Sequence, residues 1–303
     1  ISFMAIPAKV YDTDWAYFLS AIAIVLVLPL VVYFYLPFFR RLNITSAYEY
    51  LERRFHVTVR MFGSAAFILF QAGRMTIVLF LPALALSAVT GLDIRLAIVV
   101  MGALTTLYTV LGGIEAVIWT DVLQVVVLVG GALACLVAVV FGVGGGLDHV
   151  LHLAQANNKL SWGDWDWNYT LPVVWVILVG GIFQSLSSYS ADQTVIQRYL
   201  TTSTQKQAAR AIWTNAVIVV PVSLLWFALG TALFAFYKTH PAELDVTLKT
   251  DQILPLFIAN ELPAGLTGLV IAALFAAAMS TLDSSMNSIS TAFVTDFYRR
   301  LRP

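Results

Sequence analysis

The sequence predicts an all-α protein that crosses a membrane several times. Of its 303 residues, 60% are hydrophobic and 11% are charged, and the mean hydropathy is +0.85, whereas soluble proteins carry about 25% charged residues. Apolar runs reach the roughly 20 residues that a helix needs to cross a bilayer, without the alternation of a membrane barrel. We expect a leading half-span and seven spans, about 7.5 transmembrane helices. The spans are expected at 15–39, 61–88, 94–111, 116–145, 171–197, 208–237 and 264–295.

Basic residues are distributed unevenly between the predicted loops, although the net charge is zero. A zero net charge gives no reason to expect a nucleic acid partner. If the spans alternate in direction, the positive-inside rule makes the more basic side cytoplasmic, with loops 40–60, 198–210 and 298–303 on it. The basic side carries Arg40, Arg41, Arg53, Arg54, Arg60, Arg198, Lys206, Arg210, Arg299, Arg300 and Arg302, and the other side carries Lys9, Arg95, Lys159, Lys238 and Lys249.

The last predicted span carries small and hydroxyl side chains at membrane depth, in the stretch AALFAAAMSTLDSSMNSISTAFVTD at 272–296. At 100° per residue, Ser280, Ser284, Ser288 and Thr291 form one stripe of a helix. Asp283 adds a carboxylate inside the membrane. Such a face is expected to contact protein, water or an ion. Oxygen ligands without sulfur or imidazole favour a hard cation such as Na⁺.

Asp121 opens the span at 116–145, and two interpretations of it are open. In the first, the helix dipole stabilises an acidic residue in the first turn and Thr120 caps the helix. In the second, the hydroxyl-bearing helix packs against this end, and Asp121 contributes to a Na⁺ site or a proton relay.

Arg74 is a permanent cation well inside an apolar span. An isolated arginine there would cost about 2.5–3.5 kcal/mol on insertion scales, so an anion is expected beside it. Asp192 and a carboxylate on the substrate are the candidates, because guanidinium binds carboxylates bidentately. Snorkelling toward the interface is the alternative.

Two glycines precede a polar run in the span at 171–197. Glycines and back-bonding serines loosen a helix and free backbone carbonyls at membrane depth, where transporters bind substrate. A polar seam between packed helices is the alternative. The run comprises Gly180, Gly181, Gln184, Ser185, Ser187, Ser188 and Ser190.

Three connecting segments also carry predictions. Residues 43–55, NITSAYEYLERRF, have caps typical of a short cytoplasmic helix. Residues 239–263 are expected to form a broken amphipathic segment, either a lid or a loop packed on the outer surface. Residues 161–172 carry three tryptophans typical of an interfacial anchor.

The sequence contains no recognisable catalytic motif, so we do not expect an enzyme. GxSxG, HExxH and phosphate-loop patterns are absent from it. His149 and His152 share a helix face without a third ligand, and Cys135 is the lone cysteine, so no His or Cys metal site is expected.

Four segments resemble the sodium:solute symporter family: TSAYEYLERRF, YTVLGGIEAVIWTDVLQ, DQTVIQRYL and AAAMSTLDSSMNSISTAF. SFMAIPAK, QAGRMTIVLFLPALALSAVTG and FQSLSSYSADQTVIQRYL are most similar to its bacterial sialic acid transporters. The resemblance implies a leucine-transporter-like inverted-repeat fold, incomplete at both ends, in one transmembrane domain over 1–303. The first repeat would occupy 1–145 without the start of its first helix, and the second 146–303 without its last helices.

The resemblance also implies site residues. The main Na⁺ site would use the Ala277 carbonyl with Ser280 and Thr281, together with first-helix carbonyls that would precede Ile1. A second Na⁺ would involve Asp121, Ser284 and Ser285. Asp283 stands where other members have a hydroxyl or alanine, so it could bind that Na⁺ or be protonated. Arg74 would receive the substrate carboxylate, and the pocket would also include Ser2, Phe18, Phe183, Gln184, Ser185 and Ser188.

These features predict a Na⁺-coupled importer of sialic acid or a similar carboxylated sugar in a bacterial inner membrane, using one or two Na⁺ ions. The expected partners are the small-molecule substrate and membrane lipid; the oligomeric state is left open. Two alternatives remain: a Na⁺ symporter of another small solute, such as a neutral sugar or a monocarboxylate, and a transporter-like domain that senses solute.

Overall fold

The structure, a computed structural model, describes residues 2–42, 44, 46–244 and 249–301. Side chains are described for these except at 88, 89, 108, 112–118, 120, 121, 199–201, 264 and 301. The chain is 84% helical, without strands in the described part. The helices are α1 Ser2–Asp12, α2 Leu19–Leu30, α3 Leu36–Arg41, α4 Glu49–Arg54, α5 Val57–Thr90, α6 Ile94–Gly142, α7 Gly146–Ala156, α8 Val174–Ala191, α9 Gln193–Thr201, α10 Gln205–Thr239, α11 Ile253–Asn260, α12 Ala264–Phe293 and α13 Arg299–Leu301. Shorter 3-10 turns occupy Ala16–Phe18, Pro241–Glu243 and Thr250–Gln252, and π-helical turns occupy Val31–Tyr35 and Val294–Tyr298.

Seven helical stretches of the described chain are long and apolar enough to cross a membrane, which confirms the predicted number of spans. The short helix α1 precedes them, as the predicted half-span does. The stretches are Ala16–Arg41, Val57–Ser87, Ile94–Leu111, Val122–Gly142, Val174–Ala191, Gln205–Thr239 and Gly265–Tyr298.

The third and fourth spans lie in one continuous helix, which corrects the expected interruption at 112–115. Helix α6 has 49 residues, or about 74 Å of helix at 1.5 Å per residue. The segment between the two spans contains no proline, so each residue keeps its backbone N–H and no ring interrupts the helical hydrogen bonds.

The chain divides into two compact units. The first unit comprises Ile1–Phe18, Ile77–Val174 and Pro221–Asp283, and the second comprises Leu19–Thr76, Trp175–Val220 and Ser284–Pro303. These units do not follow the predicted repeat boundary at 145 and 146. The repeat assignment concerns internal symmetry, and it stays a prediction.

In the first unit, α1 packs against the second half of α10. Phe3 and Trp226 meet edge to face with ring centroids 5.1 Å apart, an arrangement that aromatic pairs prefer. Gly230 allows this approach, because a Cβ there would lie 2.7 Å from the Pro7 carbonyl and 2.8 Å from the Val10 Cβ.

Lys159 ties the end of α1 to the loop that follows α7. Its ammonium donates hydrogen bonds to the carbonyls of Tyr11, at 2.6 Å, and Thr13, at 2.9 Å. A cation at these carbonyls satisfies backbone acceptors that the helix leaves open. Burial lowers the pKa of Lys159, and the nearby carboxylates of Asp12 and Asp14 oppose that shift.

The predicted broken segment at 239–263 is packed in its second half, and residues 245–248 lie outside the described residues. Helix α11 buries Ile253, Leu254, Phe257 and Ile258 in the core of the first unit. Of the two interpretations of this segment, the packed loop agrees better with this burial.

In the second unit, α2 and α3 pack with α9 and the first half of α10. Their core includes Leu28, Leu36, Ile196 and Ile212. The helix predicted at 43–55 is shorter, from Glu49 to Arg54. Its start is displaced because Ser46 and Tyr48 form a hydrogen-bonded turn in which Glu49 N–H donates to the Ser46 carbonyl.

The span predicted at 171–197 is not one continuous helix, because it is broken between α8 and α9. Asp192 has extended backbone, and its Oδ1 accepts a 2.8 Å hydrogen bond from the Thr194 N–H. This is the geometry of a helix N-cap. The break therefore comes directly after the serine run rather than at Gly180 and Gly181, which lie inside α8.

Candidate functional site

The part of α12 in the first unit carries the three residues that the family resemblance implies for the main Na⁺ site. The Thr281 hydroxyl donates a 3.1 Å hydrogen bond to the Ala277 carbonyl. Both residues and Ser280 are half-buried. The Ala277 carbonyl accepts this bond in addition to the helical N–H of Thr281, whereas the Thr281 hydroxyl oxygen keeps its lone pairs when it donates and can still coordinate a cation. Helical spacing brings Ala277, Ser280 and Thr281 to one face, as predicted.

Asp283 is fully buried and contacts Thr109 on the third span. The Thr109 hydroxyl also lies 2.7 Å from the carbonyl of Thr105, whose own hydroxyl donates to the Met101 carbonyl at 2.7 Å. Two successive turns of α6 therefore each carry a threonine hydroxyl, and the second hydroxyl contacts the Asp283 carboxylate at membrane depth. A hydroxyl donor stabilises a buried carboxylate that would otherwise be costly. The side chain of Asp121 lies outside the described residues.

The hydroxyl stripe of α12 continues into the second unit, where its side chains form hydrogen bonds with other groups of the protein. Ser284 accepts a 2.9 Å hydrogen bond from the Arg198 guanidinium. The Ser288 hydroxyl donates to the Ser284 carbonyl at 2.6 Å, and Thr291 accepts from Gln197 at 3.4 Å. Ser285 is buried. A Na⁺ at Ser284 would meet a guanidinium, so the predicted role of Ser284 requires Arg198 to move. The assignment of Ser284 and Ser285 to a second Na⁺ stays a prediction.

A cleft of about 330 Å³ lies beside the break between α8 and α9 in the second unit. Two predicted substrate residues line it, Gln184 and Ser188, and the Ser188 hydroxyl donates to the Gln184 carbonyl at 3.0 Å. Ser185 is buried instead, and Phe183 is exposed. The lining consists of Tyr48, Gly63, Ala66, Phe67, Phe70, Gln184, Ser187, Ser188, Ala191 and Asp192. The sequence did not indicate the aromatic members, because they come from α5 and the segment before α4.

Arg74 is exposed on α5 and takes part in none of the ion pairs among the described residues. Asp192, the internal partner considered for it, caps α9 instead. Arg74 lies on the helix face that also carries Gly63, Phe67 and Phe70, since spacings of four, three and four residues follow one stripe.

Two further predicted substrate residues belong to the first unit. Ser2 begins α1 and is exposed. Phe18 is buried in an aromatic cluster, with ring centroids 5.4 Å from Phe227 and 5.8 Å from Trp162. The role of Phe18 as a pocket wall stays a prediction.

A buried ion-pair cluster that the sequence did not predict joins α4, α5 and the π-helical turn after α12 within the second unit. Asp296 is fully buried and accepts hydrogen bonds from Arg60, at 2.8 and 2.6 Å, and from Ser46 at 2.9 Å. Arg60 also donates to Glu52 at 2.6 Å, and Glu52 contacts Arg300. Arg60 and Asp296 are 236 positions apart, so no local pattern indicates the pair.

The profile of the Sodium:solute symporter family matches residues 1–303. The chain is 45% identical over 302 residues to the sodium/sialic acid symporter SiaT of Proteus mirabilis, covering 99% of this chain and 61% of the relative. It is 42% identical to the sodium/sialic acid symporter NanT of Aliivibrio fischeri, again over 99% of this chain and 60% of the relative. The chain thus spans about three fifths of the length of these relatives.

A solved structure of the substrate-bound outward-open state of a Na⁺-coupled sialic acid symporter superposes with a TM-score of 0.96 at 44% identity. The match covers 100% of this chain and 64% of the solved one. These findings confirm the predicted leucine-transporter-like fold and the location in the bacterial inner membrane as a multi-pass protein. The relatives are symporters, not enzymes.

Proposed function

Because this chain belongs to the sodium:solute symporter family, we propose that it is part of a Na⁺-coupled importer of sialic acid or a similar carboxylated sugar, working by alternating access. The two bacterial relatives of 45% and 42% identity are both sodium/sialic acid symporters, which supports this choice of solute.

The observation that carries the proposal is the oxygen pair on α12. Ala277 and Thr281 place a carbonyl and a hydroxyl 3.1 Å apart at membrane depth in the first unit. Hard cations prefer such oxygen ligands. The hydrogen bond to the Ala277 carbonyl satisfies the Thr281 hydroxyl within the helix, and its oxygen supports a Na⁺ site because the chain belongs to a family of sodium symporters.

Arg74 supports a carboxylated solute. Among the described residues it has no carboxylate at ion-pair distance, and a charged arginine at the centre of a span is costly. A planar guanidinium binds a carboxylate through two parallel hydrogen bonds. A substrate carboxylate would supply the missing charge, and a neutral sugar would not.

Coupling follows from the two states of the transporter. Na⁺ shifts the equilibrium only by its differential affinity for the outward and inward states. If Na⁺ tightens sialic acid binding by some factor, sialic acid must tighten Na⁺ binding by the same factor. An observed coupling in one direction only would therefore contradict a shared binding equilibrium.

The test is uptake of labelled sialic acid by the full gene product in proteoliposomes, with either a Na⁺ or a K⁺ gradient. Uptake should require Na⁺. Arg74→Ala should abolish it, and Arg74→Lys should retain part of it, because a point charge remains without the planar fork. Uptake that is unchanged in Arg74→Ala would overturn the assignment of the carboxylate.

A monocarboxylate is the second candidate substrate. The chain is 32% identical over 307 residues to the human sodium-coupled monocarboxylate transporter 1, and Arg74 could bind either kind of acid. Competition separates the two: excess lactate should leave sialic acid uptake unchanged if the sugar acid is the substrate. Strong inhibition by lactate would favour the monocarboxylate.

A further inference from the structure

The cleft beside the α8–α9 break is lined by aromatic, amide, hydroxyl and carboxylate groups, unlike the guanidinium that Arg74 offers. Its volume of about 330 Å³ lies at the lower end of the roughly 300–1,000 Å³ typical of small-molecule pockets. Its lining includes Tyr48, which belongs to the predicted cytoplasmic loop 40–60. The cleft therefore extends from the predicted substrate residues Gln184 and Ser188 toward the inner side.

Aromatic faces form one wall of the cleft. The rings of Tyr48 and Phe67 pack with centroids 5.8 Å apart, and Phe70 is exposed. Gly63 lets Tyr48 approach α5, since a Cβ there would lie 3.2 Å from the Tyr48 ring. Burial, and after it the carboxylates of Asp192 and Asp296, raise the pKa of Tyr48, so its hydroxyl stays protonated at neutral pH.

Hydrogen-bonding groups form the opposite wall. Gln184, Ser187 and Ser188 belong to the last turns of α8, and Asp192 follows that helix. Asp192 is the one charged side chain in the lining. Its Oδ1 is engaged at the Thr194 N–H, and a carboxylate has further lone pairs for other donors. Aromatic faces with amide, hydroxyl and carboxylate groups suit a polyhydroxylated molecule rather than an anion.

Arg74 lies on α5 beyond the aromatic residues of the cleft lining. Phe67 and Arg74 are seven residues apart on one helix face, a rise of roughly 10 Å. The second unit thus carries a cation on this face of α5 and a carboxylate in the lining of the cleft. A sugar acid fits this polarity in one orientation only, with its carboxylate toward Arg74 and its hydroxyls toward Asp192.

We propose that this cleft is an inner subsite that holds the hydroxyl-bearing end of the sugar acid on its way to the cytoplasm, with Asp192 accepting from its hydroxyls. The proposal rests on the proposed function, because it takes the sugar acid as the transported solute. Hydrogen bonds from hydroxyls to a charged acceptor are stronger than neutral ones, whereas Asp192 repels the carboxylate and so fixes the orientation.

The test uses a cysteine reporter in the cleft of the full gene product. Ser187→Cys is labelled with a charged thiol reagent from the cytoplasmic side of inside-out vesicles, with and without sialic acid. Labelling should occur, and sialic acid should slow it at least severalfold. Ser203→Cys is the matched control, since Ser203 is exposed on the same side but outside the cleft, and sialic acid should not change its labelling. Buried Cys135 gives the background.

Asp192→Asn tests the acceptor itself. Asparagine caps helices about as well as aspartate, so α9 should form, but the charge is lost. The sialic acid concentration that gives half-protection of Ser187→Cys should rise about tenfold, equivalent to about 1.4 kcal/mol. An unlabelled Ser187→Cys, labelling that sialic acid does not slow, or half-protection unchanged by Asp192→Asn would each overturn the proposal.

The two proposals fail separately. If Na⁺-driven uptake of sialic acid is observed while Ser187→Cys shows no protection, the inner subsite is wrong and the transport function stands. If no sialic acid is transported or bound by the protein without substitutions, the proposed function is wrong, and the inner subsite is overturned with it.

Discussion

Arg60→Ala is expected to destabilise the second unit more than Asp296→Ala, although the two residues form one ion pair. Without Arg60, the fully buried Asp296 keeps only the Ser46 hydroxyl among its described partners. Without Asp296, Arg60 still contacts Glu52 at 2.6 Å. The first change leaves a buried charge without a counter-ion, and the second does not.

The magnitudes follow from that difference. Removing one partner of a buried pair costs about 3–5 kcal/mol when the other charge is stranded, and this range applies to Arg60→Ala. Loss of hydrogen bonds to a charged group that keeps another partner costs about 1.5–3 kcal/mol, which applies to Asp296→Ala. The double variant should cost less than the sum of the two, because no charge is left stranded in it.

Thiol labelling in denaturant measures these costs unit by unit. Cys135 is buried in the first unit, and Ala216→Cys would place a buried reporter in the second. When closing is faster than labelling, the labelling rate follows the population of the open form. Arg60→Ala should speed labelling of Ala216→Cys by about 100-fold or more. Exposed Arg54→Ala is the control, with a change of about 0.5 kcal/mol or less. Equal costs for Arg60→Ala and Asp296→Ala would refute this reasoning.

Three further variants test other parts of the structure. Gly230→Ala should destabilise the first unit by about 1–3 kcal/mol through the clash with Pro7. Gly180→Ala is the control: a Cβ there would meet open space, so the stability of the protein should be unchanged or raised. Thermal unfolding in detergent compares the two variants. Lys159→Met should lower the free energy of unfolding by about 1–3 kcal/mol, because two carbonyls lose their donor. Proteolysis near α1 should accelerate. An unchanged cleavage rate would contradict this role of Lys159. Thr109→Val should lower the stability of the protein by about 1–3 kcal/mol by removing the hydroxyl from buried Asp283, and Thr109→Ser should restore it; equal stability of both variants in the same unfolding assay would contradict this role.

The spans could be predicted from the sequence because the bilayer imposes a length and a polarity that local composition reveals. Gly265–Tyr298 was found in this way within three residues at each end, and Val174–Ala191 was found with an end predicted six residues too late. The break at Asp192 was missed, since neither proline nor glycine marks it. An aspartate two residues before Thr194 is a cap signal in the sequence, but the span predicted at 171–197 extends past it.

Of the contacts in the candidate site, local sequence could indicate only those between residues of one helix. Ala277 and Thr281 are four positions apart, so helix geometry alone brings their oxygens together. The contact between Asp283 and Thr109 spans 174 positions, and that between Arg198 and Ser284 spans 86. Contacts of that kind depend on how helices pack, and no local pattern encodes the choice of partner.

Simultaneous uptake of radioactive Na⁺ and labelled sialic acid, in proteoliposomes of the full gene product, tests most directly whether α12 couples Na⁺ to the solute. Uptake of Na⁺ should require sialic acid, and uptake of sialic acid should require Na⁺. Thr281→Ala should abolish both by removing a cation ligand, and Thr281→Ser, which keeps the hydroxyl, should preserve both. Sialic acid uptake that follows a proton gradient without Na⁺, or that is unchanged in Thr281→Ala, would contradict a Na⁺ site at Ala277 and Thr281.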